Sequence, residues 1–438
     1  MAGGTWTTQN KDRAGVYINF VGQGKPAGTV GDRGVMTMPL ALSWGPPKQM
    51  FEIHAGDDVS KQLGYDLTAP QLLLIKESLK RAKTLQLYRL NDGVKAKATV
   101  GTLTSTAQYS GVRGNDLSIV VQKNIDDVTK YDVKTMVSTT ITDIQTVSDI
   151  TGLQANDWIV FSGAGALTET AGTKLSGGAD GAVTNQDHMD YLAAAELFDF
   201  QTIALPSTDN TLKSIYTAFV RRLREEEGKK IQVVVENYPT ADYEGVISVK
   251  NGVVLSDGTK LTAAQATAWV AAATAAAQMN ESLTYDAYDD AIDVEPRYTN
   301  TQIVASIKKG EFLFTPSQGK AKVEVDINTF TSFAPTKGKE FRKNRVIRVL
   351  DGINNDFKRI FESFYVGKVD NNTDGRSLLR GECNSYMSAL QGTNAIQNFD
   401  SQTDVVVLKG NETDSVYVEV GVQPVDSIEK IYMKVTVE

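Results

Sequence analysis

The chain has 438 residues, 41% of them hydrophobic, and a formal net charge of −8. Its length exceeds one comfortable domain and predicts about two to four. The acidic balance argues against direct nucleic-acid binding, and no apolar run is long enough to predict membrane insertion. The single cysteine, Cys383, excludes an internal disulfide framework and fits a reducing compartment. The opening stretch 1–13 lacks the basic-then-apolar layout of a secretion signal, so synthesis in the cytoplasm is expected.

In chain order, the first pattern is a polar leader followed by Val16, Ile18 and Phe20 alternating with Tyr17 and Asn19. A period of two is the mark of a half-buried strand, so 1–20 reads as a strand arm. Residues 21–93 read as the first part of a core. Strand material over 30–53 is broken by the turn Trp44-Gly45-Pro46-Pro47. A helix opens at Thr68-Ala69-Pro70 and continues through Leu72, Leu73, Ile75, Leu79 and Ala82. A strand over 84–90 then meets the turn Asn91-Asp92-Gly93.

From 94 to 177 threonine, serine, valine, aspartate and glycine dominate, and helical periodicity disappears. Short strands at 117–121 and 158–161 between turn clusters predict an inserted all-β domain. It is expected to face outward and to be dispensable for the core. Ser176 to Gly181 reads as the exit linker. Over 178–335 helix and strand alternate: helix 186–198, strand 200–205, helix 212–227 stopped by Gly228, strand 231–236 and an alanine-rich helix over 262–279. The unbroken apolar run 231–236 predicts a sheet buried on both faces, within an α/β unit.

Residues 336–427 read as a C-terminal domain. Ile347, Leu350, Ile353, Phe357, Ile360 and Phe364 recur at helical spacing and predict a helix over 340–364. A second helix is expected over 377–390, and strands at 405–408 and 416–422. The last segment, 428–438, is a second arm: Ile431, Met433, Val435 and Val437 share one parity, and Tyr432, Lys434 and Thr436 take the other. The expected class is therefore α+β and multidomain: a mixed α/β core, an inserted all-β domain, and a C-terminal helical hairpin with a β-sheet and exchanged terminal strands. Two strand-like arms at opposite ends make strand exchange between subunits the central expectation.

Tests for chemistry return little. His54 and His188 are the two histidines, and neither belongs to a metal-ligand spacing. Gly22-Gln23-Gly24 with Gly28 departs from a dinucleotide loop, because the third glycine is late and Pro26 blocks the helix that should follow. Cys383 shares a helical stripe with Leu379, Tyr386, Met387 and Leu390, which predicts a packing role rather than a nucleophile. Asp286, Asp289, Asp290, Asp293 and Glu295 form a carboxylate-rich stretch without calcium-loop spacing. Solvation, or an answer to a basic patch on a neighbour, explains it better than a paired-carboxylate glycosidase. No catalytic, cofactor-binding or metal-binding residue is expected.

The basic stretch carries more information. Lys337, Lys339, Arg342, Lys343, Arg345 and Arg348 fall within 337–350 beside one acid, Glu340. Positive charge in a first helical turn opposes the helix dipole. Two readings stand: a solvated helix start, or a surface that meets an anionic partner.

An ordered set of blocks resembles the contractile phage tail sheath proteins of Gram-positive myophages, defective prophages and R-type bacteriocins. Ala14-Gly15-Val16-Tyr17-Ile18-Asn19-Phe20 is similar to the family's opening, with Ala14 where proline is usual. Arg33-Gly34-Val35, Trp44-Gly45-Pro46 and Tyr109 to Asp116 (YSGVRGND) continue the likeness, as do Leu175 to Gly181 and Asn280 to Tyr285. Asp326 to Phe330, Val366 to Val369 with Asn371-Asn372, and Gln423 to Tyr432 complete it.

The resemblance implies hexameric rings stacked helically around a tube, with terminal arms lent to neighbouring subunits. Contraction would drive the tube through a cell envelope without a nucleotide. The partners implied are other sheath subunits, the tail tube protein, and the baseplate and tail terminator proteins, in a virion tail that ejects a genome or in a bacteriocin particle. Val16, Tyr17, Ile18, Phe20, Ile431, Met433, Val435 and Val437 would form the intersubunit strands. Lys339, Arg342, Lys343 and Arg345 would face the tube, because family sheaths place the C-terminal domain innermost. The rival readings are a cytosolic α/β enzyme with an accessory β domain and a surface adhesin.

Overall fold

The computed structural model describes residues 2–4, 15–17 and 30–437. The chain divides into two compact units. The larger comprises Asp32–Asn355 with Pro424–Glu438; the smaller comprises Met1–Gly31 with Asp356–Gln423.

The larger unit is built on a seven-stranded sheet. Its spatial order is Glu311–Phe312, Val246–Val249, Gln232–Glu236, Thr202–Ala204, Val35–Leu40, Thr84–Arg89 and Met50–His54. Every neighbouring pair runs parallel except the last, which is antiparallel. Parallel strands need crossover segments that cover both faces. Residues of Gln232–Glu236 show how the sequence meets that need. Val234 enters one core with the alanine-rich helix Ala263–Ala276. Val233 and Val235 enter the opposite core with helices Asn185–Ala195 and Asn210–Glu225. The expectation of a strand buried on both faces is borne out: all five of its residues are buried. Alanine side chains let the covering helix lie close to the sheet, and Thr262 with Gln265 closes its N-terminus in a reciprocal capping box.

The all-β character expected for the insert is also borne out. One sheet runs Thr140–Val147, Tyr131–Val137, Leu117–Lys123, Thr170–Lys174; a second runs Ile159–Ser162, Leu103–Ala107, Lys97–Val100. They enclose a core of Leu103, Leu117, Ile119, Val121, Val133 and Ile159, among others. Chain entry and exit are zipped together: Val94 pairs with Ala179 and Gly93 with Asp180. A Cβ at Gly93 would lie 2.1 Å from the Ala179 carbonyl oxygen, so glycine is needed there by contact alone. The core of this sandwich contains a residue from outside it, Trp44, which is fully buried.

The long helix spans Asn344–Phe364, not 340–364. Lys339–Arg342 forms a separate 3₁₀ turn, and Lys343 between the two is extended, at φ −81° and ψ 120°. Most of the basic stretch therefore precedes the helix, and its expected conflict with the helix dipole is largely removed. The first half of the helix is tied to the larger unit. Asp351 receives both guanidinium nitrogens of buried Arg224, at 2.6 and 2.8 Å.

In the smaller unit the second half of that helix packs on helix Thr373–Gly392. Phe357 and Tyr386 meet with ring centroids 4.9 Å apart. Cys383 is fully buried, as its helical stripe predicts. Strands Val405–Lys409 and Val416–Val420 form an antiparallel hairpin. Arg380 holds the chain before it to the helix, donating to the carbonyls of Gln402 at 2.8 Å and Val405 at 3.0 Å. The strand expected at 431–437 belongs to no ladder among the described residues.

Candidate assembly surfaces

The C-terminal arm has an attached root and a bare tip. Glu429 accepts a hydrogen bond from the Thr284 hydroxyl at 2.9 Å and pairs with the Lys343 ammonium. Beyond it Ile431, Met433, Val435 and Val437 are 75–89% exposed, and Tyr432 is 91% exposed.

At the other end, Ala2–Gly4 pairs parallel with Gly15–Tyr17. Val16 and Tyr17 thus lie in a strand, while Ile18 and Phe20 lie outside the described residues. Where the chain enters the described core, the Gly31 amide donates to both carboxylate oxygens of Asp356, at 3.0 and 3.1 Å.

In the hairpin of the smaller unit, each strand has one ladder partner among the described residues. Leu408 and Tyr417 are more than half exposed. Beside it lies a cavity of about 330 Å³ lined by Phe361, Tyr365, Val369, Leu379, Val416 and Val418, among others.

The basic stretch separates into distinct environments. Lys339 is exposed. Lys337 pairs with Glu244 at 2.7 Å and lies over the Phe330 ring. Arg348 is buried and reaches the Glu281 carbonyl at 2.5 Å and Asp326 at 3.4 Å. Lys343 is engaged by Glu429. Arg342 lines a cavity of about 720 Å³ with Lys308, Lys339, Lys343 and Lys430, and with two carboxylates, Glu324 and Glu429. Its Nε and Nη2 atoms are buried without a hydrogen-bond partner among the described residues, as is Nε of Arg345. Burial pushes the Arg342 guanidinium below the ordinary arginine range. An unpaired, partly dehydrated guanidinium beside lysines favours a carboxylate ligand.

The residues weighed for chemistry take ordinary places. His54 is exposed and contacts the Thr84 hydroxyl at 3.1 Å. His188 is buried against the Tyr216 hydroxyl at 2.7 Å, and burial lowers its pKa. Asp286 and Asp289 are answered within the chain by Arg81, at 3.0 and 2.5 Å. Burial raises the Cys383 thiol to about 12. The Gly22–Gly28 motif lies outside the described residues. Sequence reasoning missed Glu429, Thr284, Gly31 and Asp356. The acid at 429, placed where the tail's alternation begins, was the available signal for the first.

Four family models match in succession. The tail sheath protein Gp18 domain III N-terminal region covers 33–90, and the phage tail sheath protein beta-sandwich domain covers 91–180. The phage tail sheath protein central domain covers 181–329, and the phage tail sheath C-terminal domain covers 336–438. The phage-like element PBSX protein XkdK of Bacillus subtilis is 39% identical across 100% of both chains. The crystal structure of a sheath tail protein from Desulfitobacterium hafniense is 64% identical, with a TM-score of 0.88 over 96% of this chain and 99% of that one. The helical sheath of the anti-feeding prophage in its contracted state shares the fold at 13% identity, with a TM-score of 0.57 over 98% of this chain and 100% of that one. By sequence over its whole length and by fold, the chain belongs to the phage tail sheath family.

Proposed function

We propose that this sheath subunit polymerises as hexameric rings stacked helically around a tail tube, and that shortening of the polymer drives the tube through a cell envelope. Its role on this reading is structural and mechanical, and no bound cofactor is invoked. The partners are other copies of the chain, the tail tube protein, and the baseplate and tail terminator proteins. The subunits are made in the host cytoplasm and assembled into the tail of a virion or a phage-tail-like particle.

The observation that carries this reading is the bare C-terminal arm. Ile431, Met433, Val435 and Val437 alternate, are exposed, and have no ladder partner among the described residues. The open edges of the hairpin Val405–Lys409 and Val416–Val420 on a second copy supply what such a strand lacks. Covering each apolar arm residue is worth about 1.5–3 kcal/mol. Several per arm, repeated at every subunit, hold copies together while whole domains move. The N-terminal arm, with Val16, Tyr17, Ile18 and Phe20, is assigned the same role.

The basic stretch is assigned to the tube side. Lys339 supplies exposed charge, and the cavity beside Arg342 supplies the place where a carboxylate would be received. Lys343, which is paired with Glu429, and Arg345 are assigned to the same face. Electron microscopy of the purified protein tests the whole reading. Tubes or stacked rings are expected; a preparation that stays as discrete monomers across concentration and salt overturns it.

A further inference from the structure

We propose that Glu429 is the anchor of the C-terminal arm, fixing its root to the central unit so that the exchanged strand begins at Lys430 and pulls on Thr284 and Lys343. The inference rests on the strand-exchange reading above.

The arm's exposure is discontinuous. Ile428 is 87% exposed and Ile431 78% exposed. Between them, the Glu429 side chain is 12% exposed. One carboxylate is thus drawn into the protein from a segment whose apolar side chains are left in water. That is the reverse of what hydrophobic collapse alone would give, so specific bonds must hold it. They are charge-assisted and use both oxygens: Oε1 accepts from the Thr284 hydroxyl and Oε2 from the Lys343 ammonium. Asp426 adds a second, longer contact to Lys343 at 3.9 Å.

The receiving groups are themselves fixed. The Thr284 hydroxyl oxygen accepts the Asp326 amide at 2.9 Å. The Asp326 carboxylate is buried and accepts the Leu283 amide at 3.1 Å and the Asn344 side chain at 2.8 Å. Asn344 opens the long helix. A load on Glu429 therefore enters a buried network at the start of that helix. An anchored root also confines the free tip near its take-off point, which raises its effective concentration for a neighbour's sheet edge.

Gly31, beyond the N-terminal arm, is also held by a carboxylate. Asp356 receives the Gly31 amide on both oxygens, together with the Tyr386 hydroxyl at 2.7 Å and Arg359 at 3.1 Å. A Cβ on Gly31 would lie 2.5 Å from the Asp356 carboxylate, so a larger residue there would have to displace that side chain.

The test uses the full chain at concentrations below assembly, with trypsin as the probe of the tail. Thr284→Val is the main variant because it leaves the tail sequence untouched; Glu429→Gln is the second. In the unaltered protein, cleavage after Lys434 should be fast and cleavage after Lys430 slow. Either substitution should speed cleavage after Lys430 roughly tenfold, the loss expected for one charge-assisted bond, and leave Lys434 unchanged. The same variants, raised in concentration, should need several-fold more protein to form tubes. If both variants match the unaltered protein in Lys430 cleavage and in assembly, the anchor is overturned. If Thr284→Val lowers the melting temperature, Glu429→Gln alone decides by the same criterion. A chain truncated after Lys430 separates the two readings. Normal tubes from it refute strand exchange, whereas cleavage after Lys430 in the full chain that responds to Thr284→Val upholds the anchor independently.

Discussion

Trp44 packs its ring 5.3 Å from that of Trp158 and 5.4 Å from that of Tyr109, at the foot of the inserted sandwich. Trp44 belongs to the chain between the first two strands of the central sheet, and the other two belong to the insert. Arg89, at the end of a central strand, is buried and donates to the Gly45 carbonyl at 2.7 Å and the Ser110 carbonyl at 3.0 Å. The insert is therefore pinned to the core by a shared aromatic cluster and a shared guanidinium.

That contact changes what excision should do. Replacing 94–177 with a Gly/Ser linker strips Trp44 of its aromatic partners and Arg89 of one acceptor. The simple replacement is expected to give poorly soluble protein. Adding Trp44→Thr should restore a soluble, folded core that still polymerises. In the intact chain, Trp44→Ala should cost about 3–5 kcal/mol in chemical denaturation. A linker variant as soluble and stable as the full chain, with Trp44 kept, would show that the pin carries no energy.

Much of this fold was legible because its cores are patterned locally. The strand at 231–236 and the helix at 212–227 announce themselves by period, and both lie within two residues of the predicted bounds. The start of the long helix was misread for a physical reason. Six basic residues resemble a first turn, but Lys343 is extended, and the buried Asn344–Asp326 bond at 2.8 Å marks the true start. Trp44, Glu429 and Asp356 were illegible as contacts, since their partners lie far away in sequence and no period marks them. The arms were read from alternation alone, and that same alternation leaves open which molecule supplies the partner.

Stability should fall on mild acidification through His188. Its pKa is held below the ordinary 6.5, chiefly by burial, with Lys48 adding to the shift; Asp187 and Asp209 pull the other way but are outweighed. The unfolded chain then binds a proton that the folded chain does not. This contribution is present above about 6.5 and is lost as pH falls toward the depressed folded value, with a slope of at most about 1.4 kcal/mol per pH unit. Denaturation between pH 5 and 8 should show His188→Gln with a flatter profile than the unaltered protein. Parallel profiles would remove His188 as the cause.

Cys383 should be silent in the native protein. It is fully buried, and its thiol is raised to about 12 by burial and the nearby Glu382. Little thiolate exists at pH 8, and reagent has no access. A chromogenic disulfide reagent should react with it only on unfolding, so its rate reports opening of the C-terminal helices. Rapid, stoichiometric labelling of folded protein at pH 8 would contradict this packing.

Charge reversal on the basic stretch should be read residue by residue. Lys339 is exposed, so Lys339→Glu should leave the fold unchanged and reduce extended sheath on tubes, with the loss growing as salt is lowered. Arg342 and Arg345 have buried nitrogens, so reversing them risks the fold as well. Arg342→Gln is the cleaner probe of the cavity. It should weaken assembly on tubes while sparing tube-free polymer. Equal tube assembly by Lys339→Glu and Arg342→Gln proteins, compared with the unaltered chain at low salt, would sink the tube-facing assignment.

The arms should be needed for polymerisation and not for folding. Ile431, Met433, Val435 and Val437 contribute little to their own subunit's core, being 75–89% exposed. Removing 431–438 should therefore leave the melting temperature within a degree or two of the full chain, since exposed positions rarely change stability by more than about 0.5 kcal/mol. Tubes and rings should be absent. Removing 1–20 should act similarly, with Asp356 still engaging Gly31. A milder variant places aspartate at Met433 and Val435, which would put two unpaired charges into a strand interface and abolish pairing there. Sedimentation and microscopy of these chains decide the matter. Polymer from the truncated chains would mean that the arms do not hold the subunits together. Failure to fold would mean that these strands complete their own subunit, and strand exchange would fall with it.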